Sequence, residues 1–367
     1  MTCRPPSSPK HSLDDEGGDD ADLWFLPGPV DGEDALPPGA SPLPIAPRTA
    51  LFDMDEWQTA QAHASNELAV LTQLFGELDL RLRIGPRGLC QRLALREATD
   101  LSWWVGDRIS ADRLSLWQAL RLGSIDDSDQ ALPRAGWALR RLSGGPSPSQ
   151  GLARFLERTQ TGETAGRESV DAPSAELGAT FSPDLGAVED ISNLMVDAAA
   201  LHPVTQAAIV FYAWRLLGAP QTREMEAGVL AARHASQMAR RSGAGASFLP
   251  LAQGGPGAFR GEGPPLRKFA IWVAGATQAT LAALLHLEQL AAWQDKAQSE
   301  IAGLSGRTPA LLLDCLTRWP HVSASLAEAE TGASRASCQR NLDRLTASGL
   351  LREVTGQGRY RFWTARI

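Results

Sequence analysis

Arginines and a serine that could cap a helix recur near the C-terminus, in the stretch SRASCQRNLDRLTASGLLREVTGQGRYRFW. Arginine presents a planar fork of donors that fits phosphate oxygens or a guanine edge. A serine at a helix start leaves backbone N–H groups facing a phosphate, and a glutamine amide can pair with adenine. The sequence therefore predicts contacts with double-stranded DNA. The candidate contact residues are Ser334, Arg335, Ser337, Gln339, Arg340 and Arg344 on a helix, with Arg359 and Arg361 on a hairpin.

The elements that must position these residues form three helices and a hairpin. Thr308 is predicted to cap the first helix, which Pro320 stops. Ser323 is predicted to cap a short second helix that ends at Gly332, and Ser334 caps a third that runs to about Ser348. Two short β-type runs, LLREV and RYRFW, follow around the turn TGQG. Residues 306–367 are therefore predicted to form a winged helix-turn-helix domain with a small β-hairpin wing.

Helical periodicity divides the third helix into two faces. Cys338, Leu342 and Leu345 are predicted to be buried, while Arg340 and Arg344 turn away from them. Ser337 and Gln339 are assigned to the same outward side. Arg335 lies nearer the buried side but in the first turn, where a helix end can project beyond the core. Alternation along the last strand places Arg359 and Arg361 on one face.

Charge is unevenly distributed along the 367-residue chain. The formal net charge of −7 argues against a nucleic-acid binder when taken alone. Residues 1–60 hold twelve acidic and three basic residues, however, whereas residues 307–367 hold nine arginines and five acidic residues. In the net charge of the whole chain, the acidic N-terminal part therefore outweighs the basic C-terminal part. A winged helix also serves as a protein-interaction module, so an adaptor remains the alternative to a DNA binder.

The rest of the sequence predicts an all-α body over residues 49–305. Leu68, Leu71, Leu74 or Phe75, and Leu78 recur at helical steps. Residues 1–48 are predicted to be disordered, and 143–183 and 242–265 to be flexible linkers or loops. The apolar stretch FAIWVAGATQATLAALLHL contains polar residues, which favours a buried helix over a membrane span. No membrane partner is expected, and the absence of an apolar leader predicts a cytoplasmic protein.

Motifs for metal, cofactor or nucleophilic chemistry are absent from the sequence. Cys3, Cys90, Cys315 and Cys338 are far apart and form no CxxC pair. There is no HExxH helix, phosphate-binding GxxxxGK(S/T) loop or GxSxG turn. The sequence predicts no cofactor and no enzyme.

The adjacent Trp103 and Trp104 point in different directions on a helix, so one of them could line a subunit interface and support a homodimer.

The C-terminal stretch resembles the terminal helix-turn-helix domain of a family of uncharacterised bacterial proteins, often plasmid-borne. It is also similar to the winged helix that ends many Fic-type proteins, whose core transfers nucleotides to protein hydroxyls. The segment RLALREATDLSWWVGDRISADRL resembles the segment before a Fic core, with Ser102, Val105 and Gly106 at its serine, acid and glycine positions. The Fic core motif HxFx(D/E)GNGR is missing, and the nearest histidine, His202, is followed by no acid or Gly-Asn-Gly-Arg.

These observations predict a DNA-binding protein, a transcriptional regulator whose helical body dimerises or senses an unidentified ligand. The alternative is an inactive Fic-like protein, or a protein-binding adaptor that uses the winged helix to touch a protein partner.

Overall fold

A computed structural model describes residues 51–86, 88–120, 130–157, 185–220, 222–239, 245–356 and 361–367. All of them belong to one compact unit, Pro47–Ile367. The predicted disorder of residues 1–48 lies outside the described residues. This unit is mostly helical, as the sequence predicts. The helices are α1 (Met54–His63), α2 (Ser65–Ile84), α3 (Leu89–Trp104), α4 (Ala111–Leu120), α5 (Ala131–Ser143), α6 (Leu152–Leu156), α7 (Leu185–Asp197), α8 (Pro203–Leu217), α9 (Arg223–Ala235), α10 (Pro265–Ile301), α11 (Thr308–Arg318), α12 (Ala324–Thr331) and α13 (Arg335–Ala347), and the strands are β1 (Val322–Ser323), β2 (Leu351–Glu353) and β3 (Phe362–Ala365).

The first helices form as the sequence periodicity predicts. Asp53 caps α1 by accepting from the backbone N–H groups of Asp55 and Glu56. On α2 the buried residues are Leu68, Leu71, Phe75, Leu78 and Asp79. Phe75 therefore fills the position for which Leu74 was the alternative, and Leu74 packs only partly against the core.

Helix α10 is the central element of the body. It packs against α1, α2, α8 and α11 along a length of 37 residues. Its Trp272 joins an aromatic cluster with Phe211 and Phe259, and Trp104 lies 4.4 Å from Phe259 between ring centroids. By length and composition α10 could cross a membrane, and 44% of its most apolar window is buried in the fold. Core helices pass the same test.

The segment between α9 and α10 is a loop, as predicted, but it is tightly packed where the structure describes it. Phe248, Leu249 and Leu251 are buried, and a short 3₁₀ turn covers Gly257–Arg260. The turn lies so close to α10 that a Cβ at Gly275 would come within 2.0 Å of the Ala258 nitrogen. The flexibility of 242–265 stays a prediction, and in residues 245–264 apolar side chains bury part of the loop.

The other predicted linker also contains packed structure. A 3₁₀ turn at Pro148–Gln150 leads into α6, which buries Leu152, Phe155 and Leu156. Phe155 packs edge-on to Trp137 of α5. The remainder of the predicted linker, residues 158–184, lies outside the described part of the chain.

The last six elements form the C-terminal unit, in the order α11, β1, α12, α13, β2, β3. The three strands make one small antiparallel sheet in the spatial order β1-β3-β2. Val322 pairs with Trp363, and Leu351 pairs with Ala365. Strand β3 begins at Phe362, and Arg359 and Tyr360 of the run RYRFW lie outside the described residues.

Three body helices hold the C-terminal unit. The buried guanidinium of Arg92 on α3 donates to the carbonyls of Leu316, Thr317 and Trp319 at 2.6, 3.3 and 3.2 Å. The negative C-terminal end of α11 interacts favourably with a cation at this position. From α10, the indole of Trp293 donates to the Leu350 carbonyl at 2.8 Å. The third contact comes from Asp112 on α4, which accepts hydrogen bonds from His321, just before β1, and from Arg352 in β2.

Candidate nucleic-acid interface

The predicted recognition helix, α13, begins and ends where its sequence signals lie. Ser334 is its N-cap and accepts from the Ser337 N–H at 3.4 Å. Gly332 before it and Gly349 after it both have positive φ, 66° and 75°, a conformation that glycine adopts without strain. Thr308 is already inside α11, whose N-cap position is Arg307. The sequence placed that boundary one residue too late.

The buried face of α13 is the one that periodicity predicts. Cys338 and Leu342 are fully buried, and Leu345 is 3% exposed. They pack against α11 and α12. Because these residues fix the rotation of the helix, the opposite face must be directed outward.

That outward face carries arginines that are not neutralised. Arg340 and Arg344 are exposed and lie one turn apart. Neither of them has a salt bridge to any residue that the structure describes. Arg335 is also exposed and unpaired, and its backbone N–H donates to Glu328 Oε1 at 3.2 Å. Three arginine side chains on one helix are therefore available to an anionic partner.

Arg361 is ion-paired in the structure, unlike Arg340 and Arg344. Its guanidinium donates to Asp343 at 2.9 Å and to Glu353 at 2.6 Å, and it lies 4.8 Å from the Trp363 ring centroid. The hydrogen bond to Glu353 is the main cause that raises the pKa of Arg361, and the same bond lowers the pKa of Glu353. Arg361 was expected to share a strand face with Arg359 and to contact DNA, and in the structure nearby carboxylates hold it. A phosphate would have to compete with both of them.

Asp343 is the acidic residue that organises this face. It accepts from Gln339 Nε2 at 3.2 and 3.1 Å as well as from Arg361. The Gln339 amide, which was expected to be free for adenine, is thus engaged along its own helix. The spacing Gln339–Asp343 was visible in the sequence and could have predicted this bond.

The remaining candidate residues occupy supporting positions. Ser337 is half-buried, and its carbonyl accepts from Asn341 Nδ2. Since Ser334 Oγ and Glu328 take the N–H groups of Ser337 and Arg335, two N–H groups that were expected to face a phosphate are already bonded. Arg359 lies outside the described residues, so its prediction is neither supported nor changed.

Two of the four remaining described arginines of the C-terminal unit have ionic partners. Arg318 pairs with Glu330 at 3.6 Å, and Arg352 pairs with Asp112 at 3.2 Å. Arg307 and Arg366, at the two ends of the unit, have no salt bridge to a described residue. The unpaired positive charge on the described helices of this unit is therefore concentrated on α13.

The body residues that were compared with Fic proteins have structural roles. His202 is the N-cap of α8, where its Nδ1 accepts from the Val204 N–H at 3.2 Å. Ser102 is fully buried, and its Oγ accepts from the Ile109 N–H at 3.1 Å in the turn after α3. Among the described residues there is no group of three His, Cys, Asp or Glu side chains that could hold a metal ion.

No protein-family model matches the sequence, and no curated protein matches it. The geometry of the described residues is therefore the basis of the function proposed next.

Proposed function

We propose that residues 306–367 are a winged helix-turn-helix unit that binds double-stranded DNA through α13. The order of its elements supports this proposal: a helix, a short strand, two helices at a glycine turn, and two strands that close an antiparallel sheet. Such a unit inserts its second turn-linked helix into the major groove. The body, residues 49–305, serves for dimerisation or for sensing a ligand, and the protein acts as a regulator of transcription.

One observation carries the proposal. Arg340 and Arg344 project from the outward face without a carboxylate partner among the described residues, whereas Arg318, Arg352 and Arg361 in the same unit are ion-paired. An exposed arginine pair one turn apart can donate to two phosphates, or to a phosphate and a guanine edge. Arg335 extends this donor set toward the start of the helix.

Arg361 has a different role in this proposal. Its bonds to Asp343 on α13 and Glu353 on β2 tie the hairpin to the helix. Direct DNA contact by the wing then falls to Arg359, which the sequence nominated.

The test measures binding of the full chain to a random duplex by fluorescence anisotropy at several salt concentrations. Phosphate neutralisation requires log Kd to rise linearly with log salt. Replacing Arg340 and Arg344 together with alanine should reduce that slope by about two, since each phosphate contact contributes about one. Arg267→Ala is the matched control, because Arg267 is exposed at the start of α10 in the body. A salt-independent signal, or equal slopes for the double variant and the wild type, would favour the adaptor hypothesis.

We further propose that the body does not transfer nucleotides. The sequence lacks the Fic core motif, and the imidazole of His202, the nearest candidate base, is used as a helix cap. Burial lowers the pKa of this histidine. Incubation with labelled ATP and Mg²⁺ should leave protein substrates unlabelled. Labelling that His202→Ala abolishes would contradict this proposal.

A further inference from the structure

Two arginines of the body meet where α5 ends. Arg233 on α9 is only 7% exposed, and its guanidinium donates to the carbonyls of Ser247, Gly145 and Pro146 at 2.6, 3.1 and 3.3 Å. Arg141, on the last turn of α5, is half-buried. Its Nη1 lies 3.8 Å from the position that a Cβ on Gly145 would occupy. Both guanidinium groups therefore lie around the same glycine.

Positive charge accumulates here, and the described residues supply no carboxylate that pairs with it. Arg141 donates to the carbonyls of Glu157 and Arg154 at 2.6 and 3.3 Å, and the exposed Arg140 and Arg154 lie nearby. None of these four arginines has a salt bridge to a residue in the described ranges. Glu157 is the nearest acid that acts on Arg141, and it contributes its carbonyl rather than an ion pair.

Electrostatic effects on the two buried arginines follow from this arrangement. Burial lowers the pKa of Arg233, the Cys90 thiol opposes that effect, and the charge of Arg141 lowers the pKa further. Burial also lowers the pKa of Arg141, followed by the charge of Arg140, with Glu157 acting in the opposite direction. Like charges held close in a partly dry site are unfavourable until a counter-charge neutralises them.

Unused donors occur on the same two arginines and on Ser143, the last residue of α5. The Nε groups of Arg141 and Arg233 and the hydroxyl of Ser143 are buried and have no hydrogen-bond partner in the part of the chain that is described. Buried donors without acceptors are rare in folded proteins and mark places where a ligand or ion can complete the bonding. Carbonyls accept from Nη1 and Nη2 of Arg233 and from Nη2 of Arg141, whose guanidinium also lies 5.7 Å from the Phe155 ring centroid. The positive charge of the cluster favours a negatively charged acceptor for the donors that have no partner in the described structure.

We propose that this cluster binds a small oxyanion, either inorganic phosphate or the phosphate group of a small molecule. Such a ligand would enter beside the exposed Gly145 and Arg154 and accept from the guanidinium of Arg141 first, because this side chain is the half-buried one. The Nε group of Arg233 and the hydroxyl of Ser143 would supply the further hydrogen bonds to the ligand. Charge-assisted bonds from a guanidinium fork to a tetrahedral oxyanion are among the stronger hydrogen bonds in proteins. The site lies in the body and does not depend on DNA binding by the C-terminal unit.

The experiment is thermal unfolding of the full chain in increasing inorganic phosphate, with potassium chloride keeping the ionic strength constant. A ligand that binds only the folded state raises Tm in a saturable way. We expect phosphate and sulfate to raise Tm while chloride does not. Arg141→Gln should weaken the phosphate Kd by about tenfold or more, which is the effect of losing one charge-assisted bond. Arg260→Gln, which changes an exposed arginine of the loop before α10, is the matched control and should leave the Kd unchanged.

Arg233 also holds three carbonyls, so Arg233→Met is a weaker test because the variant could lose its fold. Arg141→Gln avoids this difficulty. Equal stabilisation by chloride, or an unchanged phosphate response in Arg141→Gln, would overturn the proposal. If phosphate has no effect but Arg141→Gln lowers affinity for duplex DNA, the cluster belongs to a nucleic-acid surface and the small-oxyanion proposal is wrong. Calorimetry with a phosphorylated sugar against its free sugar then distinguishes a phosphorylated metabolite from inorganic phosphate.

Discussion

The carboxylate of Asp112 accepts from Nε2 of His321 at 2.7 Å, across 209 positions of sequence. Its other oxygen accepts from Arg352 at 3.2 Å. His321 precedes β1 and Arg352 lies in β2, so one residue of α4 holds the small sheet at two points. With Arg92 and Trp293, this contact attaches the C-terminal unit to the body through three separate helices.

Asp112→Asn should loosen the C-terminal unit and weaken its acid sensitivity. The bond from His321 is the main cause that lowers the pKa of Asp112. A carboxyl with a lowered folded pKa stabilises the fold above its unfolded pKa, near 3.9, and the stabilisation is lost as pH falls through the folded value. The variant should therefore lose stability at neutral pH and show a shallower decline below about pH 4. Hydrogen exchange at residues 321–323 and 351–353 should become faster, whereas equal exchange in both proteins would contradict the coupling.

Glu97→Gln should stabilise the protein at alkaline pH. Burial raises the pKa of Glu97 to about 7, against the opposing N–H bonds of Leu251 and Ala252, while the charge of Asp100 raises it further. The hydrogen bond from the Gln253 side chain also lowers the pKa, and Oε2 of Glu97 is buried without a hydrogen-bond partner in the described structure.

The sign follows from proton uptake. Between the unfolded pKa, near 4.3, and the folded pKa of about 7, the folded state holds a proton that the unfolded state has released. Stability should therefore fall as pH rises through this window and stay level above it. A glutamine side chain stays neutral at every pH, so the variant should lack this pH-dependent loss of stability, which amounts to roughly 4 kcal/mol. Urea unfolding from pH 4 to 9 measures it, and parallel curves for the two proteins would refute a neutral Glu97.

Gly275→Ala should destabilise the body. The added Cβ would overlap the Ala258 backbone, which lies on the other side of a close approach between α10 and the 3₁₀ turn. Overpacking of this kind costs about 1–3 kcal/mol. Gly76→Ala on α2 is the control with the opposite sign, because a Cβ there meets nothing within 4 Å and alanine favours a helix by about 1 kcal/mol. Thermal unfolding of the two variants should shift Tm in opposite directions.

Asp343→Asn should strengthen non-specific DNA binding if the proposed interface is correct. The change removes a negative charge from the outward face and releases one of the two carboxylate bonds of Arg361. The salt slope for a random duplex should become steeper by up to about one. Glu330→Gln on α12, which pairs with Arg318, is a comparable loss of charge away from the outward face of α13. A larger effect from Glu330→Gln than from Asp343→Asn would place the interface elsewhere.

Local signals made the C-terminal helices predictable. Ser323 and Ser334 cap α12 and α13, and Gly332 takes the left-handed conformation between them. These effects act over one helical turn, so residue type and spacing suffice to locate them. The buried faces of α13 and α2 were predictable for the same reason. Apolar residues that recur every three or four positions leave only one face of the helix to bury.

Adjacent residues were harder to assign from spacing alone. The sequence indicated that Trp103 and Trp104 face different ways but gave no choice between them. In the fold, Trp104 packs against Phe211 and Phe259, whereas Trp103 is 55% exposed. Only the position of α8 and of the loop before α10 decides which indole is covered.

The sequence by itself determined the helical character of the body, the helix boundaries at the C-terminus and the rotation of α13, because each depends on neighbours within a few residues. Tertiary structure decided which arginines keep their charge available. Asp343 and Glu353 engage Arg361, Asp112 engages Arg352, and α5 and α9 bring Arg141 to Arg233. The carboxylates that pair with Arg352 and Arg361 lie between 8 and 240 residues away in sequence. Charge in a side chain is fixed by composition, whereas its neutralisation depends on distances that only the folded chain sets.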